Sequence, residues 1–327
     1  MYLYIFKYTL IYINMEVQVI LEKIYNKVKK MKNTGKNADY IPELKKVNPN
    51  LFAISIFTVD GDEFNVGDYQ KEVAIESASK VFSLALALKT VGIKKVSQMI
   101  GTQQTFSEFN SIGAIEDSPN HTLNSFENGG AMSTTSIYYN SNKTTYEKNI
   151  FNNMSEFAGR KIKYSIPTFQ SEMSNLDHNL AIAYLLKSYG RFYGEVIPTI
   201  TAYTKQCSAL VTSKDIAIMA ATIANYGVNP KTNQKVIDKK YIPYIITHMA
   251  ANGMYGYSET WMTEIGMPAK SGVGGVILIV IPNVMGIGII SPPLDKLGNS
   301  AKGIIVAKEI ANELHLGIFD YRKKFKF

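Results

Sequence analysis

The sequence predicts an α+β fold in which strands from both ends of the chain form one antiparallel sheet and the middle forms a helical lobe. Short β-branched and aromatic segments occur at 51–59 and 276–290, whereas most apolar residues between them show helical spacing. The 327 residues, 46% of them hydrophobic, are enough to bury one large core. Terminal strands with helices between them are typical of α+β proteins.

The N-terminal third begins with helical apolar spacing over 15–32. A hairpin is predicted next, because the apolar run 51–59 is followed by the turn signal Asp60-Gly61 and by 63–67. Residues 77–89 are then expected to form a strongly apolar, buried helix. We expect that helix to end at Gly92, since glycine favours helix C-termini.

Several elements are predicted in the remainder of the chain. The stretch 111–165 is rich in Asn, Ser and Thr, with a loop at 138–143 between helical pieces. The apolar segments 276–281 and 285–290 flank Pro282-Asn283 and are expected to pair as strands. The remaining helices are predicted over 176–189, 213–226, 238–249 and 300–314.

We expect residues 15–327 to form a single domain, with a sheet part of about 15–76 and 255–327 and a helical lobe of about 77–254. Residues 1–14 are interpreted as an N-terminal extension, with Met15 as the expected true start. This apolar stretch is shorter than the roughly 20 residues that a membrane-spanning helix needs. We therefore expect no membrane span.

Composition excludes several classes of protein. The net charge is +8, but the lysines are scattered or lie at the chain ends, so nucleic-acid binding is not expected. With one Cys and four His, the chain has neither an internal disulfide nor a Cys-rich metal site. We expect no metal, no organic cofactor and a cytoplasmic location.

Ser77 and Lys80 form an S-x-x-K pattern at the start of the predicted buried helix. Residues three apart lie on one helix face, so a neutral Lys80 could take the proton of the Ser77 hydroxyl. Burial lowers the pKa of a lysine towards the range of a base. The pattern alone is common, and it fits equally a serine near a helix N-terminus followed by a solvated lysine.

A second pattern, Lys270-Ser271-Gly272, precedes the first C-terminal apolar strand. Serine acyl-transfer enzymes of the β-lactamase and penicillin-binding type pair S-x-x-K with K-[ST]-G in this order. A glycine-rich edge strand can bring a backbone N–H close to the substrate carbonyl, as part of an oxyanion hole. The two patterns together favour a serine nucleophile.

The chain resembles the serine-dependent glutaminases, whose fold is β-lactamase-like, over about Leu21 to Tyr321. The resemblance is collinear and its C-terminal signature is distinctive. The matching segments are GKNADYIP at 35–42, ESASKVF at 76–82, Phe109-Asn110-Ser111, Ser171-Glu172, NLAIA at 179–183, YTKQCS at 203–208, GMY at 253–255, PAKSGVGG at 268–275 and SPPLDKLGNS at 291–300.

The resemblance implies hydrolysis of L-glutamine to L-glutamate and ammonia through an acyl-enzyme on Ser77, activated by Lys80. Tyr203 and Tyr255 match active-site tyrosines that can relay protons to the leaving ammonia. The backbone N–H groups of Ser77 and Val273 would form the oxyanion hole. A homodimer or homotetramer is also expected by resemblance.

Four residues match those that hold the amino-acid end of glutamine: Tyr40, Asn128, Glu172 and Asn179. Their chemistry agrees, because a zwitterion needs an acceptor for its ammonium and donors for its carboxylate. Glu172 supplies a carboxylate, and the amides of Asn128 and Asn179 can donate. By itself, each residue would be unremarkable, so the interpretation depends on their collective match.

The chain departs from the family pattern at several positions. It has N-G-G-A-M at 128–132 where N-A-G-A-I is usual, and lacks an Asn-Pro pair within 121–126. His178 stands in place of Arg, and Gly256 in place of Asp. We expect a looser loop around Asn128, with efficiency and affinity affected more than reaction type.

Two alternatives remain open from the residues. A relative acting on another amide or a β-lactam would share S-x-x-K and K-S-G, although Glu172 and Asn179 favour an amino-acid substrate. The departures around Asn128 and Tyr255 also fit a catalytically weakened glutamine-binding or regulatory protein. The intact Ser77/Lys80 pair favours an active enzyme.

Overall fold

A computed structural model describes residues 2–105, 107–108 and 110–320, with the backbone alone for 2–15. Within these residues a five-stranded antiparallel sheet has the order β2-β1-β7-β6-β5. A two-stranded pair, β3-β4, lies apart from it. The strands are β1 (Ala53–Thr58), β2 (Glu63–Gly67), β3 (Val73–Ala74), β4 (Leu210–Val211), β5 (Ala269–Gly272), β6 (Val276–Ile281) and β7 (Met285–Ile290).

Helices cover both faces of the sheet and form the lobe beside it. A 3-10 turn, Glu76–Ser79, leads directly into α3, and others precede α11 and α12 at Lys239–Tyr241 and Tyr255–Tyr257. The helices are α1 (Tyr2–Lys29), α2 (Pro42–Lys45), α3 (Lys80–Met99), α4 (Gly113–Asp117), α5 (Asn128–Ile137), α6 (Lys143–Ala158), α7 (Ile166–Met173), α8 (Asp177–Ser188), α9 (Val196–Cys207), α10 (Ser213–Ala224), α11 (Ile242–Asn252), α12 (Ser258–Glu264) and α13 (Ala301–Leu314).

Apart from edge strand β2, the sheet is buried on both faces, which explains why β6 is a continuous apolar run rather than an alternating one. Side chains of β6 alternate between two cores. Val276 and Leu278 pack towards α10 and α3, whereas Ile277 and Ile279 pack towards α1 and α13. The sheet therefore joins the helical lobe to a separate outer helical layer.

The predicted α+β architecture is confirmed. The 51–67 hairpin forms with Ile54 opposite Val66, and β6 and β7 pair as expected. The helices predicted near 176–189, 213–226, 238–249 and 300–314 are present with bounds shifted by a few residues.

Some expectations differ from the structure. The first helix begins at Tyr2 rather than Met15. The first segment of α3 does end at Gly92 as expected, since its non-helical angles (φ 78°, ψ 166°) kink the chain there, but a second helical segment that was not predicted continues to Met99. The pattern analysis did not predict α7 and α9. Phe109 of the matched segment 109–111, and residues 321–327 of the expected domain, lie outside the described residues.

No helix in the described part of the chain combines the length and the hydropathy needed to cross a membrane.

Strand β7 lies unusually close to α10. A Cβ added to Gly288 would lie 2.1 Å from the Ser213 carbonyl oxygen, and one added to Gly286 would lie 2.2 Å from that of Ala217. Both obstacles are backbone atoms, so a larger residue would push the helix off the sheet. The two glycines therefore set the distance between sheet and lobe.

We expect Gly288→Ala to lower the free energy of unfolding by about 2 kcal/mol or more, because the new methyl group overpacks a rigid backbone contact. Urea denaturation checks this. Gly113→Ala is the matched control: its Cβ would meet nothing nearer than the Ser111 Oγ at 3.8 Å. The control should unfold at or above the wild-type midpoint, and equal midpoints for both variants would contradict the packing argument.

Candidate active site

One cavity of about 250 Å³ collects most of the residues that the sequence singled out. It lies where the 3-10 turn, α7, α8 and α9 meet the turn after β5. The predicted residues in its lining are Tyr40, Ser77, Asn128, Glu172, Asn179, Tyr203 and Val273. Residues from six separate parts of the chain thus converge on one space.

Ser77 lies on the 3-10 turn against edge strand β5. Glu76, the residue before it, has a left-handed backbone with φ 50°, a conformation that costs free energy for a non-glycine residue. The backbone of β5 approaches this turn closely, since a Cβ on Gly272 would lie 2.4 Å from the Ile75 carbonyl oxygen. As the K-S-G pattern predicted, glycine allows this approach and brings Val273 beside Ser77.

Lys80 is the first residue of α3, and its side chain is completely buried. Its Nζ donates to Asn128 Oδ1 at 2.8 Å and to the Phe126 carbonyl oxygen at 3.1 Å. Burial lowers the pKa of the Lys80 amine to about 8. A substantial fraction of this amine is therefore neutral near physiological pH.

Asn128 begins α5, and its amide is oriented by Lys80. Lys80 Nζ donates to the Asn128 oxygen, and in its charged form this amine can only donate, which leaves the amide N–H groups of Asn128 to point elsewhere. The packing around Gly129 is tight, where a looser loop was expected. A Cβ there would lie 3.2–3.4 Å from Leu123, Ile115 and Ile182.

Tyr255 belongs to the 3-10 turn before α12 and also has a left-handed backbone, with φ 54°. Its hydroxyl donates to the Ser271 carbonyl oxygen at 3.3 Å. Burial raises its pKa, and its hydrogen bond with Ser77 partly opposes that rise. The buried amine of Lys270 lies 4.4 Å from the centre of the Tyr255 ring and donates to two backbone carbonyls.

The acidic side of the cavity is formed by α7 and α9. Glu172 Oε1 accepts a hydrogen bond from Ser208 at 2.9 Å, and burial raises the pKa of Glu172 to about 8. Tyr203 and Cys207 lie one turn apart on α9, and burial raises both of their pKa values. The carboxyl oxygens of Glu76 and Glu172 and the Cys207 sulfur lie within 4.8 Å of one another.

Four further predicted or altered positions line the cavity. Tyr40 is about half exposed, whereas Val273 is buried. Asn179 lies on the first turn of α8 beside His178. The His178 Nε2 atom lies 2.6 Å from the carbonyl oxygen of Asn110, so the histidine that replaces the usual Arg holds the neighbouring loop.

The family model for glutaminase matches residues 35–319. The chain belongs to the glutaminase family. It is 42% identical to a glutaminase of Mycobacterium ulcerans over 291 residues, which cover 89% of this chain and 91% of that one. It is 41% identical to glutaminase 1 of Shigella flexneri over 287 residues, covering 88% and 93% of the two chains.

Solved structures agree with this glutaminase assignment. The chain resembles a probable glutaminase, ybaS, with a TM-score of 0.90 and 40% identity over 92% of this chain and 97% of that one. It also resembles Mglu in its tris and glutamate form, with a TM-score of 0.89 and 31% identity over 94% and 68% of the two chains. The fold is thus the β-lactamase-like fold of this amidohydrolase family.

Sequence reasoning gave no site role to Glu76 or Cys207 and used Lys270 only as part of the K-S-G pattern, although all three stood inside matched segments. Their types are unremarkable in sequence, and burial beside the cavity is what distinguishes them. Gly256 departs from the usual Asp, and a Cβ there would meet nothing nearer than Leu297 at 3.9 Å. The glutaminase fold therefore has room for a side chain at that position.

Cys207, the one cysteine of the chain, offers a test of how far the cavity shields a thiol through burial and charge. Burial and the nearby carboxyls of Glu172 and Glu76 raise its pKa, so little thiolate exists at pH 8. We expect native protein to react with iodoacetamide at least about tenfold more slowly than protein unfolded in urea. Mass spectrometry over time measures the labelling, and equal rates would contradict this account.

Proposed function

We propose that this enzyme hydrolyses the side-chain amide of L-glutamine to L-glutamate and ammonia, with Ser77 as nucleophile and Lys80 as base. The observation that carries this proposal is the single cavity that unites Ser77, an acidic wall at Glu172 and the amides of Asn128 and Asn179. The glutamate form of the similar Mglu structure supports an amino-acid ligand.

In the first step the Ser77 Oγ attacks the amide carbon, and its proton passes to neutral Lys80. The lowered pKa of Lys80 makes the amine available without a large energetic cost. As the proton arrives, the charged amine keeps its hydrogen bonds to Asn128 Oδ1 and the Phe126 carbonyl oxygen.

The tetrahedral intermediate carries negative charge on the former carbonyl oxygen. We assign its stabilisation to the backbone N–H groups of Ser77 and Val273, which lie on opposite sides of the β5 contact. We assign the relay of the proton to the leaving ammonia to Tyr255, which is hydrogen-bonded to Ser77, and to Tyr203, which lines the same cavity. Water then cleaves the Ser77 ester and releases L-glutamate.

The amino-acid end of glutamine needs both signs of charge from the cavity. Glu172 is the proposed acceptor for its ammonium, while the N–H groups of Asn128 and Asn179 and the Tyr40 hydroxyl donate to its carboxylate. The single-domain organisation, cytoplasmic location and homodimer or homotetramer stay predictions from sequence and resemblance.

We expect Ser77→Ala to abolish ammonia release, because no acyl-enzyme can form without the hydroxyl. Coupled glutamate dehydrogenase assays with L-glutamine and L-asparagine measure the product. Ser79→Ala is the matched control, since Ser79 lies on the same turn but bonds Gln206 and Cys207 in the interior. Turnover that persists in Ser77→Ala would refute the assignment of Ser77 as the nucleophile.

Glutamine binding without turnover in the wild-type protein would indicate a glutamine-binding protein instead of an enzyme.

The pH profile follows from two groups that must both lose a proton. Lys80 acts as base only when neutral, and Glu172 attracts the ammonium only when ionised. Both have pKa values of about 8.

We therefore expect log kcat/KM to rise with pH at a slope between about one and two below pH 7, and to level off above about pH 8.5. The slope for kcat should be about one, because Glu172 is already ionised when glutamine is bound. Initial rates in buffers of constant ionic strength test this. A flat kcat/KM between pH 6 and 8 would exclude these roles.

A further inference from the structure

Glu76 is a second carboxyl in the cavity, and the mechanism above leaves it unused. Its carboxyl oxygen lies within 4.8 Å of that of Glu172. The residue is only 3% exposed, and its Oε1 has no hydrogen-bond partner among the described residues. An acceptor buried in this way normally has a partner, and because Glu76 lines the cavity of Ser77, that partner is expected to be a ligand.

The backbone at Glu76 adds to this argument. Its left-handed φ of 50° and its unpartnered oxygen both cost stability. Such costs concentrate at functional sites, where the surrounding structure enforces them. The strained turn directs the carboxyl towards the cavity that contains Ser77 and Glu172.

The spacing of the two carboxyls suits an ammonium group. Two N–H···O bonds of about 2.8 Å that leave one nitrogen at a tetrahedral angle place their acceptors about 4.6 Å apart. The carboxyl oxygens of Glu76 and Glu172 lie no more than 4.8 Å apart, a separation compatible with this arrangement. Ammonium carries three donors, so it can contact both carboxyls and keep one for another partner.

Lys80 is a cation that acts on Glu76, and with a pKa of about 8 it is mostly charged at pH 6.5, so it can balance one of the two carboxylates. Burial keeps the tyrosines and the cysteine neutral and lowers the pKa of Lys80. The groups that interact electrostatically with Glu76 are Glu172, Lys80, Cys207, Tyr40 and Tyr255. Two further titratable groups, Tyr203 of α9 and Lys270 of β5, belong to elements that pack against the same turn. A positive charge supplied by the substrate would complete the cluster.

We propose that Glu76 is a second acceptor for the α-ammonium of glutamine. The ammonium binds between Glu76 and Glu172, and it replaces a proton that this carboxyl pair holds before glutamine binds. This inference rests on the proposed glutaminase function. Burial raises the pKa of both carboxyls, and the nearby Glu172 charge raises the pKa of Glu76 further. The displaced proton leaves to solvent, so glutamine binding at pH 6.5 releases about one proton.

The test compares two ligands on Ser77→Ala, which binds without turnover. The ligands are L-glutamine and 4-carbamoylbutanoate, the same molecule without its ammonium. Calorimetry gives both affinities with and without Glu76→Gln, a nearly isosteric change that removes the charge. We expect Glu76→Gln to weaken glutamine binding at least about tenfold and to change binding of 4-carbamoylbutanoate less than about twofold. Equal losses for both ligands would overturn the proposal.

Glu127→Gln is the matched control. Glu127 is another largely buried carboxyl near Lys80, also with an unpartnered oxygen, but it faces a different, smaller pocket. Its substitution should affect both ligands alike. If Glu127→Gln selectively weakens glutamine binding, the effect is general electrostatics and the assignment to Glu76 fails.

A second measurement needs no substitution of Glu76. Titrations of Ser77→Ala in two buffers with different ionisation enthalpies give the number of protons released. We expect about one proton for glutamine at pH 6.5 and none for 4-carbamoylbutanoate. Equal counts would overturn the inference while wild-type turnover still supported the glutaminase. Absence of both turnover and glutamine binding would instead refute the proposed function itself.

Discussion

The contact between edge strand β5 and the 3-10 turn of Ser77 is the constraint on which the site depends. Side chains at Gly272 or Gly274 would collide with the carbonyl oxygens of Ile75 and Ala74, at 2.4 and 2.2 Å. Because both positions are glycine, two backbones meet directly and Val273 lies beside Ser77. The same contact joins the sheet to the helical lobe, so the fold and the reactive geometry share one interface.

The site also depends on ionisable side chains that are buried away from water. Lys80, Glu76 and Glu172 are each strongly desolvated, and their pKa values move in the direction that favours the neutral form. Such burial costs stability, yet it makes an amine basic near neutral pH and leaves carboxyls ready to receive a cation. The helices above and the sheet below exclude the solvent that would otherwise cancel these shifts.

Sequence patterns predicted the secondary-structure elements that have strong local signals and missed those that do not. The hairpin around Asp60-Gly61 and the β6–β7 pair were predictable, because apolar runs bounded by turn residues are local signals. Helices α7 and α9 were missed, and they carry Glu172 and Tyr203. Those residues entered the prediction through family resemblance, since no local rule marks a single glutamate or tyrosine as part of a site. Their assigned roles stay predictions.

The sequence by itself determined the α+β class, the order of strands and helices, the Ser77/Lys80 and K-S-G patterns and the family. These features depend on local periodicity, turn chemistry and collinear motifs. Only the tertiary structure decided that Lys80 is buried against Asn128, that Lys270 lies under Tyr255, and that Glu76 faces Glu172 with an unpartnered oxygen. Burial and charge proximity arise from residues distant in the chain, and pKa values depend on that three-dimensional environment rather than on spacing.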